Sequence, residues 1–151
     1  MRDNMNYLAV KDLRDTTAKW LNGMSWDYFQ TGTFREEFET FSPFTAKRRF
    51  LKYLEETRKK YGLSNIDYFL AIEPHKTGLY HVHTLMNGCA GVSDEALWDY
   101  WFKKYWRNTV EIYDPQLGAS HYLTKYIVKD LCDWDIRVRK SNQLKFFFGK
   151  G

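Results

Sequence analysis

The sequence predicts an α+β fold, a ferredoxin-like (RRM-like) sandwich with one helix and one edge strand appended. Two observations carry this prediction: strand-like and helical segments follow one another in the order β, α, β, β, α, β, and only a short turn separates the two central strands. The 151 residues can bury a substantial core but are too few for a second catalytic module such as a helicase. We therefore predict a single domain over residues 1–151.

The amino-terminal third is predicted to contain a helix, a strand and a second helix. Residues 8–22 carry apolar residues among charges and stop before Gly23, which is typical of a short helix followed by a glycine. Residues 26–34, WDYFQTGTF, are rich in aromatic and β-branched residues and predict the first strand. A serine–proline pair at 42–43 then begins a helix that ends at Gly62 and has one apolar and one basic face.

The second and third strands carry a pattern typical of a metal site. Residues 66–73 and 79–88 are strand-like and flank the turn-forming PHKTG, so they should pair as an antiparallel hairpin. His81 and His83 alternate along the later strand, which puts both imidazoles on one face of the sheet. Glu73 ends the earlier strand, and its carboxylate joins them if the register of the hairpin allows. Such an open set of ligands suits Mn²⁺, or Mg²⁺ when a substrate phosphate completes the shell.

The last part of the chain is predicted to be a helix, a strand, a helix and a final strand region. The third helix begins at Ser93, and its wide apolar face has five members: Leu97, Trp98, Trp101, Phe102 and Tyr105. Residues 109–113 predict a strand and residues 118–129 a helix. The tail from Trp134 predicts one or two further strands.

A doubled Tyr-x-x-Lys pattern occupies HYLTKYIVKD, residues 121–130. Tyr122 and Tyr126 are four residues apart and share one helical face, and a lysine, Lys125 or Lys129, follows each of them by three residues. A phenol with an ordinary pKa of ~10 is a poor nucleophile at neutral pH, but a nearby ammonium group and a metal-polarised phosphate stabilise the phenolate during attack. The pattern is therefore compatible with a tyrosine nucleophile assisted by a lysine.

Each pattern alone is also compatible with simple packing. Two histidines at strand spacing can be half-buried polar residues, and the tyrosine segment can be an amphipathic helix whose lysines face water. His75, in the turn, is expected to contact solvent or phosphate rather than a metal. Because neither pattern needs the other to build a core, their occurrence in one small domain favours a catalytic site.

The composition favours a polyanionic partner and a soluble, cytoplasmic protein. A balance of 23 basic against 19 acidic residues gives a net charge of +4, and basic residues cluster at 47–52, at 58–60 and in the tail 137–150. Aromatic residues form 19% of the chain, so we expect some rings to be exposed for stacking on bases. Cys89 and Cys132 lack metal-finger spacing, and no apolar run approaches the ~18 residues of a membrane span, so neither a zinc knuckle nor a membrane partner is expected.

Three segments together resemble the HUH endonucleases, and among them the replication initiators of rolling-circle plasmids and phages. FQTGTF (29–34) is similar to the family's first motif, YHVHTL (80–85) to its histidine motif and TKYIVKD (124–130) to its tyrosine motif, in the family's order. The resemblance spans residues 29–130, most of the chain. It implies a five-stranded antiparallel sheet with the active site on its open face.

The resemblance implies a site-specific endonuclease and ligase that nicks a single-stranded replication origin. One divalent metal, Mn²⁺ or Mg²⁺, would be held by three ligands: Glu73, His81 and His83. Tyr126 would be the nucleophile and Lys129 its charged helper, while Tyr122 is either a second nucleophile or a packing residue one turn away. The products would be a 5′-phosphotyrosine link and a free 3′-hydroxyl that primes rolling-circle replication. The implied partner is single-stranded DNA at an origin hairpin or an exposed nick site, with a host helicase as a candidate second partner.

Two features bear on the alternatives. Gly32 stands where the family often has a bulky apolar residue, which leaves open how this strand contacts DNA. The tyrosine follows the histidines, an order that excludes the usual relaxase arrangement but is shared by single-strand transposases of the HUH type. A transposase would not normally carry the doubled tyrosine pattern. The remaining alternative is a non-catalytic nucleic-acid-binding module with the same sandwich fold.

Overall fold

A computed structural model describes residues 2–35, 42–76, 79–128, 133–139 and 142, apart from the side chains of 2–7, 124–125 and 127–128. Over these residues the chain forms helices and strands in the following order: α1 (Arg2–Asn22), β1 (Tyr28–Thr33), α2 (Pro43–Lys60), β2 (Asp67–Pro74), β3 (Tyr80–Asn87), α3 (Asp94–Lys104), β4 (Asn108–Ile112), α4 (Gly118–Val128) and β5 (Asp133–Arg137). None of the helices in the described ranges is both long enough and apolar enough to cross a membrane.

The five strands form one antiparallel sheet in the order β4-β1-β3-β2-β5. The predicted hairpin is present, and its register pairs Glu73 directly with His81, and Ala71 with His83. The α+β ferredoxin-like prediction, with its five-stranded sheet, is confirmed. Helix α1 is longer than predicted, since it begins at Arg2 rather than at residue 8.

Alternation along the strands divides the interior into two hydrophobic cores. One face of the sheet, which includes Val82, packs against α2 and α3, and the other, which includes Leu85, packs against α1 and α4. His81 and His83 have the same parity as Leu85, so they lie on the face that carries α4. Val82, between them, is fully buried in the first core, as predicted.

The prediction for the apolar face of α3 was wrong at two positions. Leu97, Trp101 and Tyr105 are buried, but Trp98 is 41% exposed and Phe102 is 37% exposed. Each exposed ring follows a buried residue by one position, or about 100° around the helix, and points past β4. Because β4 is an edge strand, no further strand lies beyond it to cover these rings.

The ring of Trp101 explains the glycine in the middle of β1. A Cβ atom on Gly32 would lie 2.4 Å from Cζ2 of Trp101, well inside van der Waals contact. The indole Nε1–H of Trp101 also donates a hydrogen bond of 3.2 Å to the carbonyl oxygen of Thr33. The bulk that a large residue would provide at position 32 is therefore supplied by α3.

A buried carboxylate holds the chain that follows β5. Asp67 is 1% exposed and accepts hydrogen bonds from the backbone N–H and the Nε–H of Arg139, at 3.0 and 3.1 Å. Asn142 donates to the same carboxylate at 3.3 Å and bonds to both backbone groups of Ser25. One strand of the predicted tail is present as β5; residues 143–151 lie outside the described residues.

Candidate active site

His83 lies at the centre of the candidate site. Its Nδ1 is 3.1 Å from the hydroxyl oxygen of Thr31, its cross-strand neighbour on β1. Its Nε2 faces Glu73, with 3.9 Å between Nε2 and Oε1. A hydrogen bond to one imidazole nitrogen fixes the ring and leaves the other nitrogen directed at a ligand. The sequence did not predict the contact with Thr31, because the register of β1 against β3 cannot be derived from the motif.

His81 lies beside a second histidine. The rings of His75 and His81 are stacked, with centroids 4.7 Å apart and planes 10° apart, whereas the centroids of His81 and His83 are 6.4 Å apart. Burial lowers the pKa of His81, the nearby His75 lowers it further, and Glu73 opposes both effects. Since the ordinary pKa of histidine is already below 7, His81 is neutral at neutral pH, the form in which imidazole binds metals.

The predicted metal ligands share one face of the sheet, but they are not drawn into a closed coordination shell. Within the described part of the chain, no three His, Cys, Asp or Glu side chains lie close enough together to hold a metal ion. Glu73 and His83 already face each other, and His81 would have to turn from His75 toward them. The donor types, two imidazoles and one carboxylate, fit a divalent cation in an open site.

Tyr126 joins the tyrosine helix to the histidine strand. Its ring stacks on that of His83, with centroids 4.1 Å apart and planes 17° apart, and it is 5% exposed. Helix α4 presents a buried row to the sheet at the spacing of one helical face: Ala119, Tyr122, Leu123 and Tyr126. The two patterns that the sequence left separate are therefore in direct contact.

Tyr122 lies one turn earlier and packs deeper between other rings. Its centroid is 5.0 Å from that of Phe29 and 5.4 Å from that of Tyr113. Its hydroxyl oxygen accepts a hydrogen bond from the backbone N–H of Asp114 at 3.3 Å. Lys129, the predicted helper, lies outside the described residues.

The basic helix α2 lies on the face of the sheet opposite the histidines. Its buried residues belong to the core that contains Val82, and several of its cations have acidic partners on the protein. Arg58 donates to Glu55 at 2.7 and 2.9 Å, and Lys47 lies 3.3 Å from Asp135. The phosphate contacts predicted for this helix therefore involve a surface distant from Tyr126 and stay a prediction.

The comparisons with known proteins agree with the geometry. Residues 27–131 match the family model for the replication-associated protein ORF2, a span that runs from just before β1 to beyond α4 and takes in Glu73, both strand histidines and Tyr126. Neither the curated proteins nor the solved structures contain a match. Because the matched span is well over half of the chain, the chain belongs to this family of replication-associated proteins.

Proposed function

We propose that this replication-associated protein nicks and rejoins single-stranded DNA at a replication origin, with Tyr126 as the nucleophile. The observation that carries the proposal is the stacking of Tyr126 on His83 at 4.1 Å, with Glu73 on the other side of that histidine. A packing role alone would not require the buried tyrosine of α4 to meet the histidine–glutamate pair. The family match supports a role in replication over the transposase alternative.

The reaction is an in-line transesterification. The Tyr126 hydroxyl oxygen forms a bond to the phosphorus of the scissile phosphate, and the bond from phosphorus to the 3′ oxygen breaks. The tyrosine loses its proton, and the departing oxygen gains one to become a 3′-hydroxyl. The phosphodiester is conserved as a 5′-phosphotyrosine ester, so the reverse attack by a 3′-hydroxyl rejoins the strand without ATP.

A divalent cation, Mn²⁺ or Mg²⁺, is proposed to bind at Glu73, His81 and His83. When bound, it would withdraw charge from the non-bridging oxygens of the phosphate. The protein's contribution is orientation: Thr31 fixes the ring of His83, and burial keeps His81 in its neutral form. His75, stacked on His81, is proposed to act as a neighbour rather than a ligand.

The two further residues of the tyrosine helix receive different roles. Lys129 is proposed to stabilise the developing phenolate with its positive charge. Tyr122 is proposed to be a packing residue rather than a second nucleophile, since its hydroxyl already accepts the N–H of Asp114 and its ring is enclosed by Phe29 and Tyr113.

The test uses end-labelled single strands from the chain's own replicon, or a randomised pool, with Mn²⁺ or with chelator. We expect metal-dependent cleavage in which the 5′-labelled product carries a 3′-hydroxyl that a DNA polymerase extends. His83→Ala should lose cleavage, and His121→Ala, a histidine on α4 outside the site, should retain it. Binding without cleavage on any sequence would instead support the non-catalytic module, and excision with joining of unrelated ends would support a transposase.

A further inference from the structure

A groove opens beside β4 and adjoins the candidate active site. Its volume is about 420 Å³, within the range of about 300–1,000 Å³ typical of pockets for small organic groups. Its lining includes His81 and Thr31, the threonine whose hydroxyl contacts His83. A group bound in the groove would therefore adjoin the histidine strand.

The two exposed rings of α3 form one wall of this groove. Trp98 and Phe102 stack on each other with centroids 5.0 Å apart and planes 8° apart. The indole Nε1–H of Trp98 donates to the carbonyl oxygen of Asn108 at 2.9 Å, which fixes the ring against β4. The result is an aromatic surface that is preorganised and open to solvent, the kind of surface on which nucleobases stack.

Arg107 provides a positive charge at the same groove. Its carbonyl oxygen accepts hydrogen bonds from the backbone N–H and the hydroxyl of Thr33, each 2.9 Å long, and its guanidinium lies 4.4 Å from the ring centre of Trp106. Trp106 has a φ of 149°, a strained value for a residue with a side chain. Such strain is concentrated at functional sites, where surrounding contacts hold the backbone in place.

We infer that this groove binds a nucleobase of single-stranded DNA next to the scissile phosphate. The base would stack on the rings of Trp98 and Phe102, and Arg107 would contact a neighbouring phosphate. Charge complementarity supports this occupant, because none of the described residues that line the groove is acidic. The inference rests on the proposed function for the identity of the DNA and adds a binding subsite to it.

The experiment compares two fluorescein-labelled probes of about 12 nucleotides, an oligothymidylate and an abasic strand with the same number of phosphates. Affinities are measured by fluorescence anisotropy for the wild-type protein and for Phe102→Leu, which keeps apolar bulk but removes the flat ring. Phe44→Leu is the matched control, since Phe44 is 70% exposed on α2, across the sheet from the groove.

We expect Phe102→Leu to weaken oligothymidylate binding by about 5- to 100-fold, the range for the loss of one stacked base, while binding of the abasic strand is unchanged. Phe44→Leu should alter neither affinity. Equal weakening of both probes by Phe102→Leu, or no weakening of either, would overturn the inference. A second variant, Phe102→Tyr, retains the ring and should retain the preference for bases, which separates stacking from a fault in folding.

Two further outcomes distinguish related failures. If Phe102→Leu alters only the oligomeric state on gel filtration, the rings cover a second copy of the chain and the base subsite is refuted. Since the assay measures equilibrium binding, it does not depend on cleavage. A base preference that requires Phe102 in a protein that forms no covalent product would refute the proposed nuclease but not the groove.

Discussion

At the scale of single residues, His83 connects the three parts of the candidate site. Its two ring nitrogens face Thr31 and Glu73, and its ring stacks on Tyr126. The sequence predicted that His81 and His83 share a face, because alternation along a strand requires no knowledge of neighbouring strands. It could not predict the stacking of Tyr126, which depends on how α4 crosses the sheet, nor the pairing of His75 with His81, which depends on the turn.

The proposed ligand set predicts a thermal shift that needs no DNA. Mn²⁺ at about 100 times its dissociation constant should raise the Tm of the wild-type protein by about 5 to 10 °C, because a ligand that binds only the folded state stabilises it. Differential scanning fluorimetry should show that His83→Ala loses this shift. His75→Ala is expected to retain it, and loss of the shift in that variant would mean that His75 is a ligand.

At the scale of elements, the contact of α3 with β1 is the closest approach in the sandwich that the sequence left unexplained. The glycine at position 32 had no evident reason in the motif, and the reason lies in the ring of Trp101, which is distant in sequence. The same helix carried the error in the predicted apolar face. Helical periodicity indicates which residues share a face, but it does not indicate that the sheet ends at β4 and leaves Trp98 and Phe102 uncovered.

Gly32→Ala should destabilise the protein by about 1 to 3 kcal/mol, the usual cost of forcing an extra carbon into a filled core. Gly91→Ala is the matched control, because no atom lies within 4 Å of the position its Cβ would occupy. Urea unfolding measures both variants. Shortening the ring with Trp101→Phe should reduce the cost of Gly32→Ala. If Gly32→Ala and Gly91→Ala prove equally stable, the close approach of Trp101 to β1 is not as described.

At the scale of the whole molecule, the two faces of the sheet have different roles. The histidines, Tyr126 and the aromatic groove occupy one region, whereas the basic helix α2 covers the opposite face. The sequence predicted a polyanionic partner from composition alone, but charge clusters along a chain do not indicate which side of a sheet they reach. Arg107, a single arginine outside every cluster, was not singled out from the sequence.

This arrangement predicts how salt affects the binding of single-stranded DNA. Arg107→Ala should reduce the slope of log affinity against log salt concentration by ~0.7, the value for one phosphate contact on a single strand. Arg14→Ala, on α1, is the matched control and should leave the slope unchanged. The same titration on Arg48→Ala determines whether α2 contacts phosphates as the sequence predicts, and an unchanged slope for Arg107→Ala would remove that residue from the binding surface.

The most direct test of the central claim is the covalent adduct. Wild-type protein, Tyr126→Phe and Tyr122→Phe would be incubated with labelled single-stranded origin DNA and Mn²⁺, then separated on a denaturing protein gel, with chelator as a control. The proposed mechanism predicts a metal-dependent shifted band that is absent from Tyr126→Phe and present in Tyr122→Phe. An adduct that persists in Tyr126→Phe would contradict the assignment of the nucleophile, and the absence of any adduct from folded, DNA-bound wild-type protein would contradict the proposed chemistry itself.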